Sequence, residues 1–198
     1  MKQCFLGKNQ KTNKYMDLEK TNLEGVIVLR PKKYDDPRGF FTEIYSKSRY
    51  KTELISEESV QFNFSHSKKD VLRGLHFQMK KPQGKIVQVL RGTIFDVGVD
   101  IRKGSKTFGE YFSIELNSND CTQVYFPPGI AHGFCVLSNS ADVLYQCTEY
   151  YHPSDENGII WNDQEINISW PIRNPVISNK DMEFKLLSEL SDNELPSI

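Results

Sequence analysis

The stretch 93–101 constrains the fold more than any other part of the chain, because its side chains alternate strictly from Phe95 to Ile101. Apolar residues follow polar or small ones in the order Phe95, Asp96, Val97, Gly98, Val99, Asp100, Ile101. A period of two is typical of a β-strand with one buried face. Residues 85–90 predict a second strand just before it, and Arg91-Gly92 predicts a hairpin turn between the two.

Other short strand-like segments occur along the rest of the chain. They are predicted at 26–29, 40–45, 60–65, 111–116, 123–126, 133–137 and 143–151. Strands separated by Gly, Pro and Asn at such short intervals are typical of a sandwich or barrel. Only the C-terminal region indicates helix, because Phe184, Leu187 and Leu190 have helical spacing, with Ser178 or Asn179 as a possible cap. We therefore predict a mainly β, antiparallel jelly roll with a central cavity and a short C-terminal helical region.

Length and composition limit the class of protein. The 198 residues fit one domain, with a loosely ordered polar extension at 1–22, the domain itself at 23–190 and a tail at 191–198. The 25 basic and 26 acidic side chains argue against a general nucleic-acid binder. There is no apolar run long enough to span a membrane and no apolar core of a signal peptide, so we expect no membrane association.

The cysteines indicate a reducing compartment. No CxxC pair is present, which argues against a zinc finger or a redox motif. Buried free thiols in the cytoplasm are the simpler interpretation. The four residues concerned are Cys4, Cys121, Cys135 and Cys147.

The histidines give little support for a metal site. His66, His76, His132 and His152 form no HxH pair, and nothing in the sequence shows a third ligand beside any two of them. A metal site needs three or four converging ligands. We therefore predict no catalytic metal.

Five polar residues lie on predicted strands or beside a rigid turn: Arg73, His76, Lys85, His132 and Tyr145. Each has an ordinary structural interpretation by itself, such as a core histidine, a solvated lysine or a packed tyrosine. Together they indicate a functional site, because the strands that carry them must line one interior, where polar groups are costly without partners. In a regular strand Arg73 would share a face with Leu75, and His76 would lie on the other face.

A set of ordered motifs spanning roughly residues 23–190 resembles the dTDP-4-dehydrorhamnose 3,5-epimerase family. The resemblance implies a metal-free cupin fold, and the polar extension before Leu23 departs from it. The matching segments are 36–43, 61–65, 71–78, 83–85, 92–102, 105–109, 128–134, 145–151, 160–163, 170–171 and 178–181.

The resemblance implies a proton-transfer chemistry. The family inverts C3 and C5 of dTDP-4-dehydro-6-deoxy-D-glucose to give dTDP-4-dehydro-β-L-rhamnose, in dTDP-L-rhamnose synthesis, and it needs no cofactor. By the match, His76 is the base, Asp181 orients its imidazole, and Lys85 stabilises the enolate at the C4 oxygen. Tyr145 matches the acid on the opposite face of the sugar.

The resemblance also implies a set of binding residues and a homodimer. Arg38 and Arg73 match contacts to the diphosphate, and Tyr151 matches the aromatic that stacks on the base. Family dimers exchange early strands, so Arg38 and Glu43 are expected to act in the partner's site. The other matched contacts to nucleotide or sugar are Glu43, Gln61, Asn63, His132, Glu156 and Lys180.

Three alternatives to the double epimerase stay open at this level. One is a relative that acts at a single carbon, isomerises the ketone, or uses another nucleotide or a heptose. Others are a silent sugar-binding cupin and, least supported, a metal-dependent cupin oxygenase. The presence of both His76 and Tyr145 favours an epimerase over a ketoisomerase and over a non-catalytic sugar-binding protein. It does not decide whether one carbon or two are inverted.

Overall fold

A computed structural model describes residues 10–12, 14–51 and 55–196. Two four-residue helices and a 3₁₀ turn at Leu187–Glu189 accompany the strands. The helices are α1 (Lys47–Tyr50) and α2 (Asn179–Met182). In chain order the strands are β1 (Gln10–Thr12), β2 (Met16–Lys20), β3 (Ile27–Pro31), β4 (Lys33–Asp36), β5 (Gly39–Thr42), β6 (Gln61–Lys68), β7 (Leu72–Gln78), β8 (Lys85–Arg91), β9 (Thr93–Asp100), β10 (Tyr111–Asn117), β11 (Gln123–Phe126), β12 (Ile130–Val136), β13 (Ser140–Cys147) and β14 (Glu156–Gly158).

Two antiparallel sheets face each other. One has seven strands in the order β1-β2-β3-β11-β8-β13-β6, and the other has five in the order β10-β9-β12-β7-β14. Strands β4 and β5 form a separate two-stranded ribbon. A cluster that includes Val87, Phe126 and Val143 fills the space between the sheets. The predicted antiparallel jelly roll with short helical pieces near the C-terminus is thus confirmed.

The alternating strand is present, but it is buried on both faces. Val97 and Val99 of β9 pack outward, against Ile159 and Leu187 of the C-terminal segment. Asp96, on the opposite face, is 0% exposed. The prediction of a half-buried strand was therefore wrong. The C-terminal segment covers the outer face, so the polar face of β9 turns toward the interior.

The predicted hairpin at Arg91-Gly92 was also wrong. Strand β8 pairs with β11 and β13 in one sheet, whereas β9 pairs with β10 and β12 in the other. Gly92 has φ +82°, and a Cβ there would lie 2.2 Å from the Ser140 carbonyl oxygen. The turn residue was identified correctly, but it carries the chain from one sheet to the other.

The N-terminal region is more ordered than predicted. Strands β1 and β2 extend the seven-stranded sheet beyond β3, and Met16 and Leu18 are 3% and 4% exposed. The expectation of loosely ordered chain is therefore wrong for these residues. Two apolar positions among charged neighbours give too weak an alternation to predict a strand. Residues 1–9, which include Cys4, lie outside the described residues.

The C-terminal region forms two short helical pieces instead of one helix. Ser178 caps α2 by accepting a hydrogen bond from the Asp181 amide at 3.1 Å. Phe184 lies in extended chain between α2 and the 3₁₀ turn. Within the predicted tail, the Pro196 carbonyl accepts a hydrogen bond from the Lys103 amide. No helix among the described residues is long and apolar enough to cross a bilayer.

Candidate active site

A cavity of about 340 Å³ opens between the two sheets. It brings together the five polar residues that the sequence placed in one interior, and four more of the predicted binding residues. The predicted residues among its lining are Gln61, Asn63, Arg73, His76, Lys85, His132, Tyr145, Tyr151 and Glu156. Ser65, Phe77, Gln78, Gln83 and Phe134 complete the lining and were not predicted.

Asp181 holds His76 from behind the cavity wall. The Asp181 Oδ1 atom lies 2.9 Å from His76 Nε2, and Oδ2 accepts a hydrogen bond from the Gly74 amide at 3.1 Å. Burial by itself would raise the pKa of Asp181. Its hydrogen bonds, of which the one with His76 has the largest effect, outweigh burial and lower the pKa of Asp181 below its ordinary value. The carboxylate therefore stays charged and accepts the Nε2 proton, which leaves Nδ1 of His76 as the nitrogen able to take another.

Arg73 and His76 both line the cavity, contrary to the prediction from strand alternation. In the pairing of β7 with β12, His76 is opposite His132 and Arg73 is opposite Phe134. Two residues of β7 therefore lie between these pairs, where β12 has only one. A bulge of this kind shifts the side-chain alternation by one position. Arg73 Nε also donates to Ser67 Oγ at 2.9 Å, which directs the guanidinium.

His132 forms a second histidine–aspartate pair in the same wall. Its Nε2 lies 2.7 Å from Asp96 Oδ1, and both side chains are buried. Burial lowers the pKa of His132 and raises the pKa of Asp96, so the pair favours its less charged forms. The alternation in 93–101 placed Asp96 between the apolar positions of a half-buried strand, and no role was predicted for it. The signal available was a carboxylate in an otherwise apolar strand.

Lys85 and Tyr145 lie on the opposite wall, in the seven-stranded sheet. Tyr145 is opposite Val87 and Cys147 is opposite Lys85, so the two polar side chains come from adjacent strands. Burial lowers the pKa of Lys85 and raises the pKa of Tyr145. Among the described residues no carboxylate forms an ion pair with Lys85. A buried cation without a partner is costly unless an anion binds beside it.

The other predicted residues of the lining come from β6, β14 and the 150–152 segment, and Lys180, which is not part of the lining, contacts one of them. Glu156 accepts hydrogen bonds from the Tyr151 hydroxyl at 2.6 Å and from Lys180. The Tyr151 amide donates to Gln61 Oε1 at 2.9 Å, and Gln61 donates to Asn63. The hydrogen bond to Glu156 raises the pKa of Tyr151 to about 12, so its ring stays neutral.

Arg38 and Glu43 do not line this cavity. Arg38 lies at the turn of the β4–β5 ribbon, where its side chain is 90% exposed and pairs with Asp36 at 2.5 Å. Glu43 follows the ribbon and pairs with Arg49. Their predicted role in a partner's site therefore stays a prediction.

Within the described part of the chain, no three His, Cys, Asp or Glu side chains are grouped closely enough to hold a metal ion. The cavity instead presents a histidine–aspartate pair on one wall and a buried lysine and tyrosine on the other. Such an arrangement can remove a proton from one side of a ligand, stabilise negative charge on it, and return a proton from the other side.

Comparison with known proteins identifies the family of the chain. The family described as dTDP-4-dehydrorhamnose 3,5-epimerase matches residues 20–189. The dTDP-4-dehydrorhamnose 3,5-epimerase of Salmonella typhimurium is 47% identical over 174 residues, which cover 86% of this chain and 94% of the relative. That of Methanothermobacter thermautotrophicus is 45% identical over 173 residues, with the same coverage of both chains.

A solved structure gives the same result. The dTDP-6-deoxy-D-glucose-3,5-epimerase of Legionella pneumophila, solved in complex with dTDP-4-keto-L-rhamnose, is 45% identical and superposes with a TM-score of 0.89. The match covers 93% of this chain and 99% of that one. Sequence and fold agree, and the chain belongs to the dTDP-4-dehydrorhamnose 3,5-epimerase family.

Proposed function

We propose that this isomerase inverts C3 and C5 of dTDP-4-dehydro-6-deoxy-D-glucose, giving dTDP-4-dehydro-β-L-rhamnose. The observation that supports this most directly is the separation of His76 and Tyr145 between facing walls of one cavity. Inversion of a carbon requires that the proton leaves one face and returns to the other. A base and an acid on opposite walls meet that requirement.

The reaction uses the C4 ketone as its electron sink. His76 Nδ1 removes the proton from the carbon next to the ketone, and the electron pair of the broken C–H bond moves to the C4 oxygen. The Lys85 ammonium stabilises the enolate as it forms. Tyr145 then gives its proton to the same carbon from the far side. Solvent returns a proton to the Tyr145 phenolate and takes one from His76, so both groups are ready for the second carbon.

Asp181 and His132 support the first step in different ways. Asp181 accepts the Nε2 proton of His76, which keeps Nδ1 free to act as the base, and its charge stabilises the imidazolium that results. His132, held by Asp96, faces the sugar beside His76 and supplies a polar contact near the C4 oxygen. We assign no step to a metal or a cofactor.

The nucleotide occupies the part of the cavity lined by Arg73 and Tyr151. A guanidinium can make paired hydrogen bonds to diphosphate oxygens, and the neutral Tyr151 ring offers a flat face for a base. Gln61, Asn63, Glu156 and Lys180 are the remaining polar contacts in this proposal. Stacking alone does not select thymine, so the choice of nucleotide follows from the relatives.

A second copy of the chain completes the enzyme in this proposal. Strand β6 is an edge of the seven-stranded sheet, and its Phe62 and Phe64 are 52% and 62% exposed. Phe40 and Phe41 on the ribbon are also exposed. Exposed aromatic residues along an open edge are typical of an interface.

Exchange of the ribbon between the two copies would bring Arg38 and Glu43 toward the partner's nucleotide.

We assign the enzyme to the cytoplasm. Cys121, Cys135 and Cys147 are buried free thiols, which fit a reducing compartment.

The test is solvent-deuterium incorporation, followed by NMR, with dTDP-4-dehydro-6-deoxy-D-glucose in D₂O. We expect deuterium at both C3 and C5 and conversion to the L-sugar. Exchange and inversion at one carbon only would support a single-carbon epimerase. Substrate that binds without exchanging at either carbon would contradict the proposal and favour a silent sugar-binding protein.

A further inference from the structure

Phe184 contacts the imidazole of His76 and has no assigned role. The two rings meet edge to face, with centroids 5.7 Å apart and an interplanar angle of 80°. Phe184 is only half-buried, and it belongs to none of the three hydrophobic clusters formed by the described residues. Its contact with His76 is therefore not a by-product of core packing.

Gly158 provides the space that the Phe184 ring occupies. It lies opposite His76 in the pairing of β14 with β7. A Cβ at this position would lie 2.2 Å from Cε2 of Phe184, a distance that ordinary packing never allows. Gly158 does not have a positive φ, so its backbone conformation would accept any residue. Room for the phenyl ring is the requirement that only glycine meets here.

The segment that carries Phe184 is fixed at both ends. Val176 bridges to Val71, and Lys185 bridges to Ile159 in β-type pairings. Between these bridges, the segment supplies Asp181 to Nε2 of His76 and Phe184 to the ring itself. One short stretch of chain thus makes two contacts of different kinds with the same imidazole.

We propose that Phe184 is a positioning residue that sets the ring plane of His76, an inference that rests on the proposed function. The hydrogen bond to Asp181 fixes one ring atom but leaves the imidazole free to tilt about it. The Phe184 edge removes that freedom and keeps Nδ1 directed at the carbon that loses its proton. A misalignment of about 1 Å at a reacting group can cost about 100-fold in rate.

The kinetic test compares Phe184→Leu with Phe95→Leu. Phe95 meets Trp170 edge to face at 5.9 Å outside the catalytic cavity, so it is a matched control for loss of an aromatic pair. We expect Phe184→Leu to lower kcat about 10- to 100-fold while KM and dTDP affinity stay within about twofold. Phe95→Leu should keep both constants. An unchanged kcat in Phe184→Leu, or a change confined to KM, would refute the proposal.

Gly158→Ala perturbs the same contact without removing the ring. We expect it to lower kcat in the wild-type background and to have little further effect when combined with Phe184→Ala, because the added methyl then has room. Equal effects in both backgrounds would mean that Gly158 acts through something other than Phe184, and would contradict the proposal.

An NMR measurement separates this inference from the proposed function, because it needs no substrate. In the wild type we expect one set of His76 imidazole signals, and in Phe184→Leu we expect broadened or doubled signals. A wild-type spectrum in Phe184→Leu would refute positioning. If the wild type turns over no dTDP-sugar but Phe184→Leu still alters the His76 signals, the proposed function is refuted. The positioning of His76 by Phe184 is then still supported.

Discussion

Replacing Asp181 with asparagine changes one atom at the contact with His76, the proposed base. In the wild type, Oδ1 faces His76 Nε2 and Oδ2 accepts the Gly74 amide. The Gly74 amide can only donate, so the asparagine carbonyl must take its side. The new NH₂ group then faces Nε2, and two donors cannot share that contact. The imidazole must move its proton to Nδ1, the nitrogen that should be free.

The size of the loss follows from these contacts. A hydrogen bond to a charged group contributes about 1.5–3 kcal/mol, and about 1.36 kcal/mol corresponds to a factor of ten in rate. Loss of the charge that stabilises the imidazolium should therefore slow proton removal about 10- to 150-fold. The wrong tautomer adds to this loss, so we expect Asp181→Asn to lower kcat about 100-fold or more, but less completely than removal of His76 does.

The assay is conversion of the dTDP-sugar with deuterium incorporation in the same sample. Asp163→Asn is a suitable control, because Asp163 is a buried carboxylate that accepts the Glu165 and Leu187 amides. We expect the control to lose stability but to keep kcat per folded molecule. An Asp181→Asn enzyme with more than half the wild-type kcat would refute the argument that the carboxylate orients the base.

Three other predictions follow. His76→Ala should abolish exchange at both carbons while dTDP still binds, and near wild-type exchange would contradict its role as base. Burial lowers the pKa of Lys85 below 10.5 and raises the pKa of Tyr145 above 10, so kcat/KM should fall at high pH when Lys85 loses its proton. In Lys85→Arg that fall should move to higher pH, and a fall that stays in place would assign it to another group. Excess EDTA should leave kcat unchanged, and a loss reversed by one divalent ion would overturn the metal-free mechanism.

Periodicity predicted the strands well because it depends only on neighbouring residues. Residues 93–101 were predicted as a strand, and β9 runs from Thr93 to Asp100. The same pattern could not show which face meets the interior. That depended on the C-terminal segment, which packs on Val97 and Val99 from far along the chain.

The features that the sequence missed are set by the partners of a strand. Arg91-Gly92 has the composition of a hairpin turn, but it links two sheets, because β8 and β9 each find both neighbours elsewhere. The bulge that turns both Arg73 and His76 into the cavity depends on β12. The local signal in β7 is Gly74, which has φ +115° inside the bulge, because an isolated glycine in a strand pattern suggests a bulge.

The site residues were predicted through two independent arguments. Polar side chains on strands of one interior indicated Arg73, His76, Lys85, His132 and Tyr145, and the cavity contains all five. Asp181 could be assigned only through family motifs, since it lies more than a hundred residues from His76 in the chain. Asp96 and Phe184 contact His132 and His76, respectively, and only the folded chain reveals these contacts.

Tyr145→Phe tests the central claim, that protons leave one face of the sugar and return to the other. The substitution removes one hydroxyl and keeps the ring, so packing in the cavity wall is preserved. With His76 intact the enolate still forms and is reprotonated from the side that lost the proton. We therefore predict deuterium at the first carbon attacked with a sharp loss of inverted product. Inversion at the wild-type rate would contradict the account, because some other group would then protonate the far face.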